Sequence, residues 1–170
     1  MATRGPKFDT YPGTVIGKVQ SVLRSQEFLD LFPSAREPET RMYAGEFFDE
    51  DKVKSLARDV TQHPVLLIDY DDLFPNENTN SPTYTAGLHK LSVYACASNR
   101  FEESGQMLHA LEVAARVRRA LVGEEFEAQE KEHSNGHFRD EGIHRQYHSP
   151  SLSVYSFDTG LFLTEQNTAR

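Results

Sequence analysis

The chain has 170 residues, 38% of them hydrophobic, and a formal charge of -8 from 18 basic and 26 acidic side chains. That length predicts one domain over residues 1–170, and the mean hydropathy of -0.60 is low for a compact monomer, so some part is expected to be exposed, mobile or buried against another copy of the chain. The acidic balance argues against gripping nucleic acid by neutralising phosphates. No apolar run nears the roughly 20 residues of a membrane span and no signal-peptide pattern opens the chain, so a cytoplasmic site of synthesis is expected.

Residues 1–10 read as a flexible arm. From Pro12 to Phe32, Val15, Ile16, Val19, Val22, Leu23 and Phe28 form a helical stripe, which Pro33 closes. After a polar linker from Ser34 to Thr40, Arg41–Phe48 alternates like a strand, and Asp49 or Asp51 can cap a short helix carrying Val53, Leu56, Ala57 and Val60. Pro64–Tyr70 is an apolar run of strand length, the expected central strand. A loop is expected over 71–82, with two prolines, three asparagines and several acids; connections of that length are usually functional or disordered.

Leu88–Ala97 reads as a strand with both faces covered: Leu91, Val93, Ala95 and Ala97 on one, Tyr94 and Cys96 on the other. The lone cysteine, Cys96, excludes an internal disulfide and reads as core. A helix follows, with Met107, Ala110, Leu111, Ala114, Val117 and Leu121 at steps of three and four and His109, Glu112, Arg116 and Arg119 opposite; Ser104 can cap its start and Gly123 its end. Residues 124–138 read as a second long loop whose Glu-rich start is helical or unstructured. Gly142–His148 and Ser151–Leu163 close the chain as two strands, with a bulge or turn at Gly160. The coarse order is α-β-α-β-β-α-β-β. It predicts an α/β (α+β) fold: a small mixed or antiparallel sheet of about four to five strands packed with two to three helices.

Charge is uneven. Residues 41–80 carry 4 basic and 9 acidic side chains, 81–123 carry 5 and 3, and 124–170 carry 4 and 9. The cluster Arg116, Arg118 and Arg119 therefore reads as an inter-subunit or intrachain partner of the acidic segments, and is the candidate subunit interface. Catalytic signals are sparse. His133 and His137, like His144 and His148, are four apart and with Asp140 and Glu141 make a metal-dependent hydrolase the rival of another class. No HEXXH accompanies them, and Gly136 and Gly142 interrupt any continuous helix. Asp69, Asp71 and Asp72 at a strand end resemble a cation site but equally suit ordinary loop solvation. No phosphate loop, GxSxG or nucleophile–base spacing occurs. The expectation is a non-enzyme without catalytic residues, metal or cofactor.

The order of elements carries a resemblance over about residues 60–165. The strand LSVYACASNR, its turn Ala97-Ser98-Asn99-Arg100, the helix MLHALEVAARVRRALVG ending at Leu121-Val122-Gly123, and the strand LSVYSFDTGLFL with Val154, Tyr155 and Phe157 resemble the tail terminator proteins of long-tailed bacteriophages, nearest the Mu-like contractile-tail group. The resemblance implies a virion structural subunit at the tail–neck junction. Such a subunit forms a hexameric ring that caps the tail tube, stops its growth and offers a joint to the neck or head–tail connector protein, with the sheath a further candidate neighbour and no membrane involved. A neck or head-completion protein is the nearest alternative. On this reading Asp71, Asp72, Leu73 and Phe74 are candidates for tube docking. The acids Asp69, Glu77, Glu124, Glu125 and Glu127 are candidates for a lumen through which DNA passes without specific binding.

Overall fold

The computed structural model describes residues 11–75, 84–99, 109–126 and 136–166. The expected arm at 1–10, Ser104, Met107, residues 76–82 and 127–135, with Glu77, Glu127 and His133, lie outside them.

A five-stranded mixed sheet with helices on both faces makes this an α+β fold. The amino-terminal stripe forms two helices rather than one: α1 (Tyr11–Leu23) and the single turn α2 (Gln26–Leu29). Ser25 separates them. Its Oγ accepts from Phe28 N at 3.3 Å and donates to Val22 O at 2.7 Å, so it caps α2 while closing α1. The expected strand over 41–48 is displaced: β1 is Glu39–Met42, and Glu46–Phe48 forms a 3₁₀ turn. Gly45, at φ 76°, bends the chain between them, a conformation that favours glycine. Asp49 then caps α3 (Glu50–Asp59), its Oδ1 accepting from Asp51 N and Lys52 N.

β2 (Val65–Pro75) pairs in parallel with β1, Val65 opposite Glu39, and antiparallel with β3 (Tyr84–Ala97), Val65 opposite Cys96. The loop expected from Asp71 is corrected at its first five residues, which continue β2 beyond a bulge between Tyr70 and Asp72. β3, not β2, is the middle strand of the order β1-β2-β3-β7-β6. α4 (Ala110–Leu121) follows, capped by His109 Nδ1 on Leu111 N at 3.1 Å and ended at Gly123 with φ 80°. The short strands β4 (Glu125–Phe126) and β5 (Gly136–His137) pair with each other at the two ends of the expected loop. β6 (Ile143–His148) and β7 (Ser153–Gln166) complete the sheet, both antiparallel to their neighbours.

Gly160 makes neither turn nor bulge. β7 runs straight through it, opposite Lys90. A Cβ there would meet Glu141 Oε1 at 3.1 Å, and Glu141 is the ion-pair partner of Lys90. The missing side chain leaves room for that pair to close across β7.

The two sheet faces bury different cores. On the first, Leu66, Ile68, Leu91, Val93, Ala95, Phe157 and Leu161 meet α1, α2 and α4 through Val15, Val19, Leu23, Phe28, Val113, Ala114, Val117 and Leu121. On the second, Val65, Leu67, Cys96, Leu152 and Val154 meet Leu56 of α3 and Val60 just after its end, with Tyr43, Phe47 and Tyr94 at its border. Cys96 is wholly buried and its thiol is pushed up by desolvation, as expected of a core residue. Leu111, assigned to the apolar stripe of α4, is instead 45% exposed; Val113 takes the inward place.

Candidate functional site

The second face changes character along its length. Beyond its apolar cluster it carries Asp69 and Asp71 of β2, Ser92 and Tyr94 of β3, and Asp158 of β7. The bulge puts Asp71 here as an extra residue without a partner in the strand register, a device that re-aims one side chain. Ser92 Oγ lies 2.8 Å from Asp71 Oδ2 and 2.9 Å from Asp158 Oδ1. A hydroxyl has one proton to donate, so both contacts are satisfied only when a carboxyl is itself protonated. Asp71 is the group disposed to hold that proton. Burial pushes its carboxyl up to about 6; the Ser92 bond opposes this, and the neighbouring Asp69 and Asp158 add to it. Tyr94 donates to Asp69 Oδ2 at 3.3 Å. His144 Nε2 lies 3.5 Å from Asp158 Oδ2, and Lys90 is taken by Glu141.

Further along, the face turns apolar. Phe74, Leu88 and Phe162 stand opposite one another on β2, β3 and β7, and Phe74 is 51% exposed. On the reverse side Leu73 lies over Gly87, where a Cβ would meet Leu73 Cδ1 at 2.6 Å, yet it remains 42% exposed. Of the docking candidates, Leu73 and Phe74 thus sit on a strand, Asp72 binds Leu73 N through Oδ1 at 2.8 Å, and Asp71 belongs to the carboxylate cluster.

The three arginines separate. Arg116 turns inward on its own chain: it donates to Leu31 O, stacks 5.1 Å from the Phe32 ring centroid and lies 3.7 Å from Glu112. Arg118 donates through Nε to Asp140 Oδ2 at 2.7 Å, which raises the guanidinium and lowers the carboxyl. Arg119 is exposed and makes no ion pair among the described residues. Of the lumen candidates, Glu124 pairs with Lys18 at 3.3 Å beside the end of α4, away from Asp69; Glu125 lies in β4.

The histidine segment does not converge. His137 Nδ1 lies 3.3 Å from Gly123 O, His144 near Asp158, and His148 beside Asn99. Among the described residues no group of three or more His, Cys, Asp or Glu is arranged to hold a metal.

Two features carried no sequence signal that was used. Phe48 is 92% exposed, although an alternating strand through 41–48 would have turned one face inward. A cavity of about 520 Å³ opens between α1, α2 and the end of α4, lined by Val22, Phe28, Leu31, Ala120 and Val122 among others. The 3₁₀ turn at 46–48 puts the first in water, and the break at Ser25 opens the second. Compared with protein-family models and with curated proteins, the chain matches none.

Proposed function

We propose that this chain is a tail terminator: a ring-forming virion subunit that caps the head-proximal end of a tail tube, stops its polymerisation and presents a joint to the neck. The observation that carries the reading is the Phe74–Leu88–Phe162 row. Three long paired strands hold it rigid, and its outermost side chain is left half in water. Exposed apolar side chains on a stiff sheet suit docking to a preformed surface, since little ordering is lost on contact. The carboxylate cluster beside the row gives the same face a polar border, the arrangement of a protein–protein contact. The order of strand, helix and closing strand supports the same reading through its resemblance to the terminator family.

The test is tail length. Particles assembled without this protein are expected to carry tails of uncontrolled length lacking heads, and purified protein added to growing tubes should shorten them. Tails of normal length that join heads in its absence would refute the reading.

A further inference from the structure

We infer that Phe48 of one copy seats in the α1–α2–α4 groove of a second copy, forming a head-to-tail contact. Phe48 is presented as a rigid knob. Its neighbour Phe47 is held among aromatic rings, with centroids 5.2 Å from Tyr43 and 5.0 Å from Tyr94. Phe48 N donates to Gly45 O at 3.1 Å, closing the turn beneath it. The backbone that carries Phe48 is therefore held while its ring stands in water, where an isolated protein gains nothing from it.

Charge points to the occupant. Glu46, Asp49, Glu50 and Asp51 lie within three residues of Phe48 in the chain; Glu50 is paired with Lys54 at 3.0 Å and Lys52 donates to Ala44 O, so Glu46, Asp49 and Asp51 leave the knob's segment net acidic. The groove has an apolar floor, with Leu31 and Val122 both exposed at its mouth. Of its four charged residues, Lys18 and Glu124 neutralise each other. Glu27 faces solvent and is the one element that opposes the fit. Arg119 is the groove cation without an ion pair among the described residues, available to the acidic segment of a neighbour. Arg116, one turn away, braces the wall through Leu31 O and Phe32.

Knob and groove belong to opposite faces of the sheet: the 46–48 turn packs with the second core and α1, α2 and α4 with the first. A single chain cannot satisfy its own pair, and two different patches in contact make a heterologous interface, which closes a ring when the rotation allows. The sheet edges offer no competing route. β1 is only four residues long, and β6 exposes His144, Arg145, Gln146 and His148, features that discourage strand addition. The inference shares with the proposed function the premise that the chain self-associates, and needs nothing of the tail.

The test uses the full chain with a benzophenone-bearing phenylalanine in place of Phe48, mixed with isotope-labelled chain and irradiated. Adducts between labelled and unlabelled copies are expected within residues 18–31 and 119–124. In sedimentation, Phe48→Ala should weaken self-association about tenfold or more, the loss for a truncated interface anchor, with an unchanged far-ultraviolet spectrum. Adducts on other parts of the chain, adducts only to a different protein in a tail preparation, or a monomer that gives no adduct at high concentration would each overturn the contact. The terminator reading fails separately, through tail length, so a ring that forms by other surfaces and still caps tubes would sink this interface alone.

Discussion

Ser92 holds two carboxylates with one proton, and that arithmetic makes the second face sensitive to pH. Asp71 binds its proton more tightly in the folded chain, up to about 6, than an ordinary aspartate does. Between the unfolded value near 4 and that point the folded state carries more protons, so stability should fall as pH rises through the window and level off above it. Asp71 is more than half in water, so screening holds the effect to about 1 kcal/mol or less. Asp71→Asn, which keeps a donor for the cluster, should remove the slope between about pH 4 and 6 in urea denaturation; an unchanged slope would assign it elsewhere. Other polar groups face this site. His144 and Tyr94 flank it, the Lys90–Glu141 pair closes beside it, and Tyr43 lies within the field of Asp69. Glu39, held down to about 2 by its bonds to Arg41 and His63, acts in the opposite sense, its contribution fading as pH falls from its ordinary value of 4.5 toward 2, so the Asp71 slope is read as the difference between the wild-type and Asp71→Asn curves. The arginines give a second residue-scale contrast. Arg119→Glu should alter stability by no more than about 0.5 kcal/mol while weakening self-association. Arg116→Glu should cost about 1–2 kcal/mol of fold stability by losing Leu31 O and the Phe32 ring. Equal destabilisation by the two in thermal melts would refute that division.

At the scale of elements, the far half of β2 decides what Leu73 and Phe74 can do. As a loop, the segment would have had to order on docking; as a strand paired with Leu88 and His89 it is already ordered. Both side chains are about half exposed, so truncation removes only part of a buried side chain's worth, about 1 kcal/mol each, against about 3–5 for a core Phe such as Phe157. Leu73→Ala with Phe74→Ala should therefore leave a cooperatively folding chain, with a small drop in midpoint, that binds tubes weakly in co-sedimentation. A loss of fold comparable to Phe157→Ala would mean the pair is core, and undiminished tube binding would free this row of any docking role.

Across the whole molecule, the sheet is covered unequally. Among the described residues, three helices close the first face, while α3 and the aromatic trio Tyr43, Phe47 and Tyr94 close only one end of the second. The remaining length of that face holds the carboxylate cluster and then the Phe74 row, and the knob and groove lie on opposite sides of the layer. The layer thus carries two distinct surfaces, as the proposed role of a ring-forming cap on a growing tube would require.

The alternation along Leu88–Ala97 and the three-to-four spacing in α4 were enough by themselves to assign β3, α4 and the residues that β3 buries on each side, because side-chain direction in a strand or helix follows locally from backbone period. Gly123 could be read as the helix end for the same reason: φ above zero is a local demand that glycine meets. Local pattern was blind to the rest. Asp71–Pro75 opens on two acids and ends in proline, and only pairing with β3 makes it a strand. Gly160 looks like a break until the Lys90–Glu141 pair is seen crossing it. Arg116 and Arg119 share one stripe in the sequence, yet the segment after α2, through Leu31 O and the Phe32 ring, gives one of them a partner and leaves the other in water. Strand pairing, ion pairs across a strand and helix neighbours join residues far apart in the chain. The tertiary structure alone decides them, because their energies depend on which surfaces meet rather than on the order of side chains along the backbone.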